Sequence, residues 1–395
     1  MSWLTQIGTV TLLSLKTIPQ RAGSSAVAIV GIAGVVIVFV AVLSMAQGFF
    51  NAMHSAGAPD RALVMRTGAD DEMTSGLTGP QTDIVKQAPG LFRDGQRAIA
   101  SAEMFVIIDL PKRSTHTEAN VPMRGIEPTS FQVRREAKIV EGRMLTFGTN
   151  EVVAGRAAAG QFEGLSVGSV VKAGQFTWTV VGIFESGGSV AETELWCDVR
   201  VLQGAYNRGN SYQSVLARLD TPEAYDSFKN WLTTNPQANV SVRREADYYA
   251  AQSVTLTRLI RTLGFAIASL MGVGAVFAAI LTMYTAVATR SREIATLRAI
   301  GFNTFSVLIS VLAESLGLAA MGGLLGGALA YVAFNGYQTS TINFQTFSQV
   351  AFAFAVTPAL LAQGLTYALI MGLIGGLLPA VRAARLPISS ALREL

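Results

Sequence analysis

One cysteine, Cys197, and two histidines, His54 and His116, are all that 395 residues provide of these types. A lone cysteine excludes an internal disulfide, and three such residues so far apart make no cluster with metal-ligand spacing. Charge is scarce as well. Asp, Glu, Lys and Arg make up 14% of the chain, against roughly 25% in an average soluble domain. The scarcity is uneven: no Asp, Glu, Lys, Arg or His occurs from Ala22 to Met53, from Thr262 to Thr289, or from Ser315 to Val381. Apolar runs of that length suit membrane-spanning helices. No Gly-Lys pair occurs, so the sequence builds no phosphate-binding loop of the Walker A kind. The formal charge is +4, but the basic residues are scattered and form no run, which excludes a nucleic-acid footprint.

In residues 1–24, Trp3, Leu4, Ile7, Val10, Leu13 and Ile18 recur at roughly helical intervals, with Lys16 and Arg21 the only charges. This suits an interfacial helix. The first span is expected over residues 25–50; its apolar run is longer than a signal-peptide core. Residues 51–257 have the composition of a soluble domain. Asp60 to Arg66, Glu103 to Leu110 and Ala119 to Ile126 read as strands, and Val170 to Lys172 with Phe176 to Phe184 as a hairpin turning at Ala173-Gly174. Ser214 to Leu219, Pro222 to Thr234 and Val240 to Val242 read as strand, helix, strand. The remaining spans are expected over residues 258–289, 304–334 and 359–381. A polar loop joins the last two over residues 335–358, and residues 382–395 form a tail. The fold class is therefore an α-helical membrane protein with four transmembrane helices and an α+β domain between the first and second.

Lys16, Arg21, Arg290, Arg292, Arg298, Arg382, Arg385 and Arg393 mark one side of the membrane, and the turn between the last two spans carries no charge. By the positive-inside rule both ends are cytoplasmic and the large domain is outside. Within residues 290–303, Ile294, Leu297 and Ile300 recur every third residue. A helix here shows one apolar edge, with Arg290, Arg292, Glu293 and Arg298 around the rest and Gly301 as its stop. Either a basic loop or a partner-binding helix fits that spacing.

Glu314 lies about ten residues into the third span. A carboxylate at mid-bilayer costs about 2.5 to 3.5 kcal/mol on insertion scales, so it faces protein or takes a proton. A structural hydrogen bond and a role in gating are both open. Gly322, Gly323, Gly326 and Gly327 allow close helix packing, within one subunit or across a homodimer. Gly164-Leu-Ser166-Val-Gly168 matches a hydrolase nucleophile elbow, but both histidines precede Ser166, so the segment reads as a glycine turn before a hairpin.

The run Arg290-Ser-Arg-Glu-Ile-Ala-Thr-Leu-Arg-Ala-Ile-Gly301 resembles the signature of FtsX-like permeases of the MacB type. The closing stretch Pro379-Ala-Val-Arg382-Ala-Ala-Arg385-Leu-Pro387-Ile-Ser-Ser-Ala-Leu392-Arg393 resembles the tail of the same family. A third, weaker likeness joins Arg124-Gly-Ile126, Glu141-Gly-Arg143, Glu151 to Gly155, Val167-Gly168 and Val180 to Phe184 to the MacB-like periplasmic core domain. The resemblance implies a non-catalytic permease subunit in a bacterial inner membrane. It implies export powered by a separate ABC ATPase, which binds the ATP, so the permease itself holds no cofactor. Arg290, Arg292, Glu293, Ile294, Leu297, Arg298 and Gly301 would form the coupling helix that touches that ATPase. It further implies a homodimer, or a pair with a related permease, in membrane lipid, with a periplasmic adaptor and an outer-membrane channel. A lipoprotein-releasing permease or a cell-division-type transducer fits the same family. A membrane sensor with an outer ligand domain is a reading of another class, disfavoured because the cytoplasmic parts are short.

Overall fold

A computed structural model describes residues 22–387. The charge-free runs are carried by four helices: α1, Ala22–His54; α2, Glu245–Ala288; α4, Thr304–Phe334; and α5, Pro358–Ala384. The short α3, Ser291–Ala299, separates α2 from α4. All four long helices are long and apolar enough to cross a membrane, as the fold class requires. In hydrocarbon a helix satisfies its own backbone, which is why charge-free runs of this length take that form. Their ends are set by local chemistry. Asn303 Oδ1 accepts from the Phe305 amide at the start of α4, while Thr357 caps α5 and Pro358 fills its first turn.

Three sequence expectations shift. Helix α2 starts at Glu245, well before residue 258, because charged residues at its start change its solvent but not its helicity. Helix α5 runs through Pro379 to Ala384 rather than ending near the proline. The stretch read as a polar turn after Asn335 holds a two-stranded antiparallel hairpin, Gln338–Ile342 with Gln349–Ala353. The expected interfacial helix at the N-terminus, and Leu392 and Arg393 in the tail, lie outside the described residues.

The chain divides into two units. The membrane unit contains most of the four long helices and all of α3. Its core joins Ile32, Val36, Phe39 and Val40 of α1 to Ala268 and Ala275 of α2, Ala319 of α4, and Ala368 and Met371 of α5. Close approach depends on missing side chains. A Cβ on Gly326 would lie 2.6 Å from the Ala33 carbonyl oxygen of α1, and one on Gly323 would lie 2.8 Å from Ala368 Cβ of α5. Gly322 meets α1 at Ile29 and Ile32, and Gly327 meets Leu361 of α5. These four glycines therefore pack α4 against its own chain.

The second unit is Gly48–Arg258 together with Gln338–Ala353. Its main sheet has ten strands: β1, Arg61–Arg66; β2, Ala100–Pro111; β3, Glu118–Ile126; β4, Lys138–Gly142; β5, Glu151–Gly155; β6, Val170–Ala173; β7, Phe176–Glu185; β8, Leu195–Asp198; β9, Ser214–Arg218; β10, Val240–Arg244. The order is β10-β1-β9-β2-β3-β8-β5-β7-β4, with β6 paired to β7. Two neighbours are parallel, β3 with β8 and β5 with β7. The rest of the sheet is antiparallel. Strand β2 pairs with β3 from Met104 opposite Gly125 to Pro111 opposite Glu118. Helix Ala224–Thr234 buries Tyr225, Phe228 and Leu232, the apolar side expected of it. Ser166 lies in the turn before β6, where Ser169 N–H donates to its carbonyl at 2.9 Å.

Gly326→Ala should destabilise the full chain in detergent by about 1–3 kcal/mol through overpacking, seen as a lower thermal midpoint. Gly34→Ala, where nothing lies within 4 Å, should leave that midpoint unchanged or raise it. Equal effects at the two positions would contradict the packing role of Gly326.

Candidate functional site

Helix α3 is built to be short and to stop. Its carboxyl end closes with Gly301 at φ +101, where the Phe302 amide donates to the Leu297 carbonyl and the Gly301 amide to the Arg298 carbonyl. That pattern turns the chain sharply out of a helix, and only glycine enters that conformation without steric cost. At the other end Arg290 is the residue before the first turn. Its Nε contacts Glu293 Oε2 at 2.9 Å and its Nη1 contacts Glu314 Oε2 at 3.2 Å. The side chains of Arg290 and Glu314 are 12% and 7% exposed, whereas that of Glu293 is 64% exposed. Glu314 thus faces protein and meets a cation, and the guanidinium joins a surface carboxylate to one set deep in α4.

The apolar edge expected of α3 does not face a partner as a whole. Ile294 and Ala295 are buried, and Ile294 packs with Met283 and Val287 of α2, Val307, Val311 and Leu318 of α4, and Ala380 and Ala383 of α5. Ile294 is therefore corrected to an internal anchor: an apolar side chain flanked by three apolar helices is buried before any partner arrives. Leu297 is half-buried, and Arg298 donates through Nη1 to the Leu386 carbonyl. Arg292, Glu293, Thr296, Ile300 and Gly301 are exposed, Ile300 by 72%. These residues are the face that α3 presents.

The second unit holds a constellation that sequence reading missed. Arg124, 1% exposed on β3, donates to Glu72, Glu103 and Glu194 at 2.7 to 3.0 Å. Arg134 grips Glu103 with two nitrogens at 2.6 and 2.8 Å. Ser214 Oγ donates to Glu72, and Trp196 Nε1 to Glu194. Arg61 contacts Glu136 at 2.7 Å and Glu245, the first residue of α2, at 2.6 Å. Burial alone pushes the Glu103 carboxyl up, but the guanidinium of Arg134 and then that of Arg124 outweigh it and hold the group at about 2. Partners drawn from positions 72, 103, 124, 134 and 194 leave no local signature, although a lone Arg inside the apolar strand Val121 to Ile126 is a hint. Cys197 is also buried; burial and then Asp198 push its thiol well above the usual range, which leaves it unreactive. Among the described residues no group of three or more His, Cys, Asp or Glu could hold a metal ion.

Four bilayer-length helices, an α+β unit inserted after the first, and a clamped charged helix after the second define a polytopic membrane protein of the permease class. Residues 25–235 match the family model described as the MacB-like periplasmic core domain, and residues 265–388 match the FtsX-like permease C-terminal model. The chain belongs to the FtsX-like permeases of the MacB type. It is 26% identical over 390 residues to macrolide export ATP-binding/permease protein MacB 1/2 of Paracoccus denitrificans, which covers 93% of this chain and 55% of that protein. It is 24% identical over 299 residues to the macrolide export ATP-binding/permease protein MacB of Bdellovibrio bacteriovorus, 69% of this chain and 44% of that protein. The chain thus spans about half the length of the curated relatives it matches. Among solved structures, the periplasmic region of MacB from Actinobacillus actinomycetemcomitans is 12% identical, with a TM-score of 0.37, covering 50% of this chain and 94% of that one. The extracellular domain of the noncanonic ABC-type transporter YknZ from Gram-positive bacteria is 16% identical, with a TM-score of 0.35, covering 46% and 99%.

The ion pairs of Glu103 give a pH dependence with a definite sign. Its folded value lies below the roughly 4.3 of an unfolded glutamate, so the pairs stabilise the protein fully above that pH and are lost as pH falls toward 2. Acid titration of the full chain in detergent should show Trp178 and Trp196, both fully buried, changing their emission between about pH 4.5 and pH 2. Glu103→Gln should move that transition to higher pH by stranding Arg134. Emission that stays constant down to pH 2 in both proteins would refute the assignment.

Proposed function

We propose that this chain is the membrane permease of an ABC-type exporter, driven by an ATPase that docks on α3. Helix α3 lies on the cytoplasmic side in this reading, with the inserted domain in the periplasm. Arg290, Arg292 and Arg298 set that orientation, helped by Arg382 and Arg385 and by the absence of charge between α4 and α5. The observation that carries the reading is the exposed face of α3: Arg292, Glu293, Thr296 and Ile300 around the half-buried Leu297. Ile300, just past the end of α3, is 72% exposed and lies three residues from the half-buried Leu297, so the face offers a partner apolar as well as charged side chains.

Two copies of the permease with two ATPases form the working unit. Nucleotide-driven closure of the ATPases displaces α3, and the helices that follow and precede it carry the displacement to the inserted domain. An adaptor and an outer-membrane channel would receive the exported substrate. ATP is bound by the ATPase, so the permease acts by changing shape and makes or breaks no bond. The curated relatives are named for macrolide export, which makes a macrolide the first substrate to test.

Purified from its native membrane, the tagged full chain should bring down an ABC ATPase. Ile300→Asp and Leu297→Asp should each reduce the recovered ATPase about tenfold or more, the equivalent of at least 1.4 kcal/mol. Recovery of no ATPase with the unaltered protein, or full recovery with both aspartates, would exclude the proposal.

A further inference from the structure

Arg290 touches two carboxylates whose surroundings differ sharply. Glu293 is exposed on the face that α3 presents, while Glu314 is buried eleven residues into α4. The carboxyl end of α3 is held separately, through Arg298 and the Leu386 carbonyl just beyond α5. Between these two polar anchors Ile294 packs against the neighbouring helices and Ala295 is buried. Apolar packing is non-directional and resists sliding weakly. A charge-assisted contact between a guanidinium and a carboxylate fixes position and orientation.

We propose that Arg290 and Glu314 are positioning residues that make α3 and α4 move as one body, with Arg290 bridging the docking face at Glu293 to the interior of α4. The inference rests on the reading of α3 as the ATPase contact and adds how that contact acts on the membrane helices. A load applied at Glu293 reaches Arg290 through 2.9 Å and Glu314 through 3.2 Å. No loop intervenes on this path. The sequence places the two partners 24 residues apart, on either side of the turn at Gly301, so the link spans the turn that joins α3 to α4.

A simpler role would be neutralisation of a carboxylate that the bilayer would otherwise penalise. The two roles part when both charges are removed together. Replacing a buried ion pair by apolar residues of similar volume is often neutral or stabilising, so a neutralising role is satisfied by Arg290→Met with Glu314→Met. A positioning role is not.

The test uses the full chain in nanodiscs with the ATPase it recovers. Spin labels are placed at Ala299→Cys on α3 and Val332→Cys on α4, both exposed; Cys197 is buried and stays unlabelled. The distance between labels is measured with and without ATP and vanadate. In the unaltered protein and in Arg290→Lys, which keeps the charge, the distance should stay the same while the ATPase closes. In Glu314→Gln and in the paired methionine variant, nucleotide should shift or broaden it by about 1–2 Å or more, the scale of helix displacements in switching proteins. ATPase recovery should be unchanged in Glu314→Gln, whose altered side chain is buried away from the docking face. A paired methionine variant that behaves like the unaltered protein would overturn the inference, as would a nucleotide-dependent shift in the unaltered protein itself. Absence of any ATPase from the unaltered preparation would instead remove the docking reading beneath it, so the two failures are told apart.

Discussion

A charge without water must find a partner, and that constraint governs where this chain can close on itself. Arg124 shows it in the inserted domain. Its guanidinium is buried, and its three carboxylates come from the loop after β1, from β2, and from the residue before β8. Removing one partner from such a cluster leaves an uncompensated buried charge, worth about 3–5 kcal/mol. Apolar replacement of a whole buried ion cluster is often neutral or stabilising, so the cluster is weak evidence for stability. In this arrangement Glu72, Glu103 and Glu194, from three separate segments, all reach a single arginine. The membrane unit answers the same constraint with fewer groups, through Arg290 and Glu314.

Features that depend on neighbours along the chain are legible in the amino-acid sequence. Absence of charge over Thr262 to Thr289 marks a span because the bilayer reads composition, not pairing. Strand β2 is expected from Glu103 to Leu110 and runs from Ala100 to Pro111. Its β-branched and apolar residues bound it clearly, and β3 pairs with it next in sequence. The hairpin turn is equally local: expected at Ala173-Gly174, it lies one residue on at Gly174-Gln175, with Ala173 paired to Phe176 and Gly174 at φ +60.

What fails to show has physical reasons in common. Strands β5 and β8 are short and buried almost throughout, so they lack the alternation that marks a half-exposed strand. Strand β4 is mostly exposed and carries little apolar signal. The early start of α2 is hidden because Glu245 and Asp247 look like soluble-domain residues, yet acidic groups in a first turn favour a helix. Periodicity places Ile294 on an edge correctly but cannot say which way the edge faces. That answer belongs to Met283, Val307 and Ala380, which lie on three other helices.

Continuity of helix matters for how force can travel. Helix α2 is a single element of 44 residues; its residues up to Arg258 belong to the inserted unit and the remainder to the membrane unit. It is helical without a break from Glu245 to Ala288. A flexible linker of the same length would dissipate a pull as chain entropy, because its end-to-end distance fluctuates by tens of ångströms, about 5–6 Å times the square root of its length. A helix holds about 1.5 Å per residue and bends only gently unless proline or a bulge interrupts it. No proline occurs between Glu245 and Ala288. The same chain turns sharply at Gly301, between α3 and α4, and again in the hairpin Gln338–Ala353 between α4 and α5.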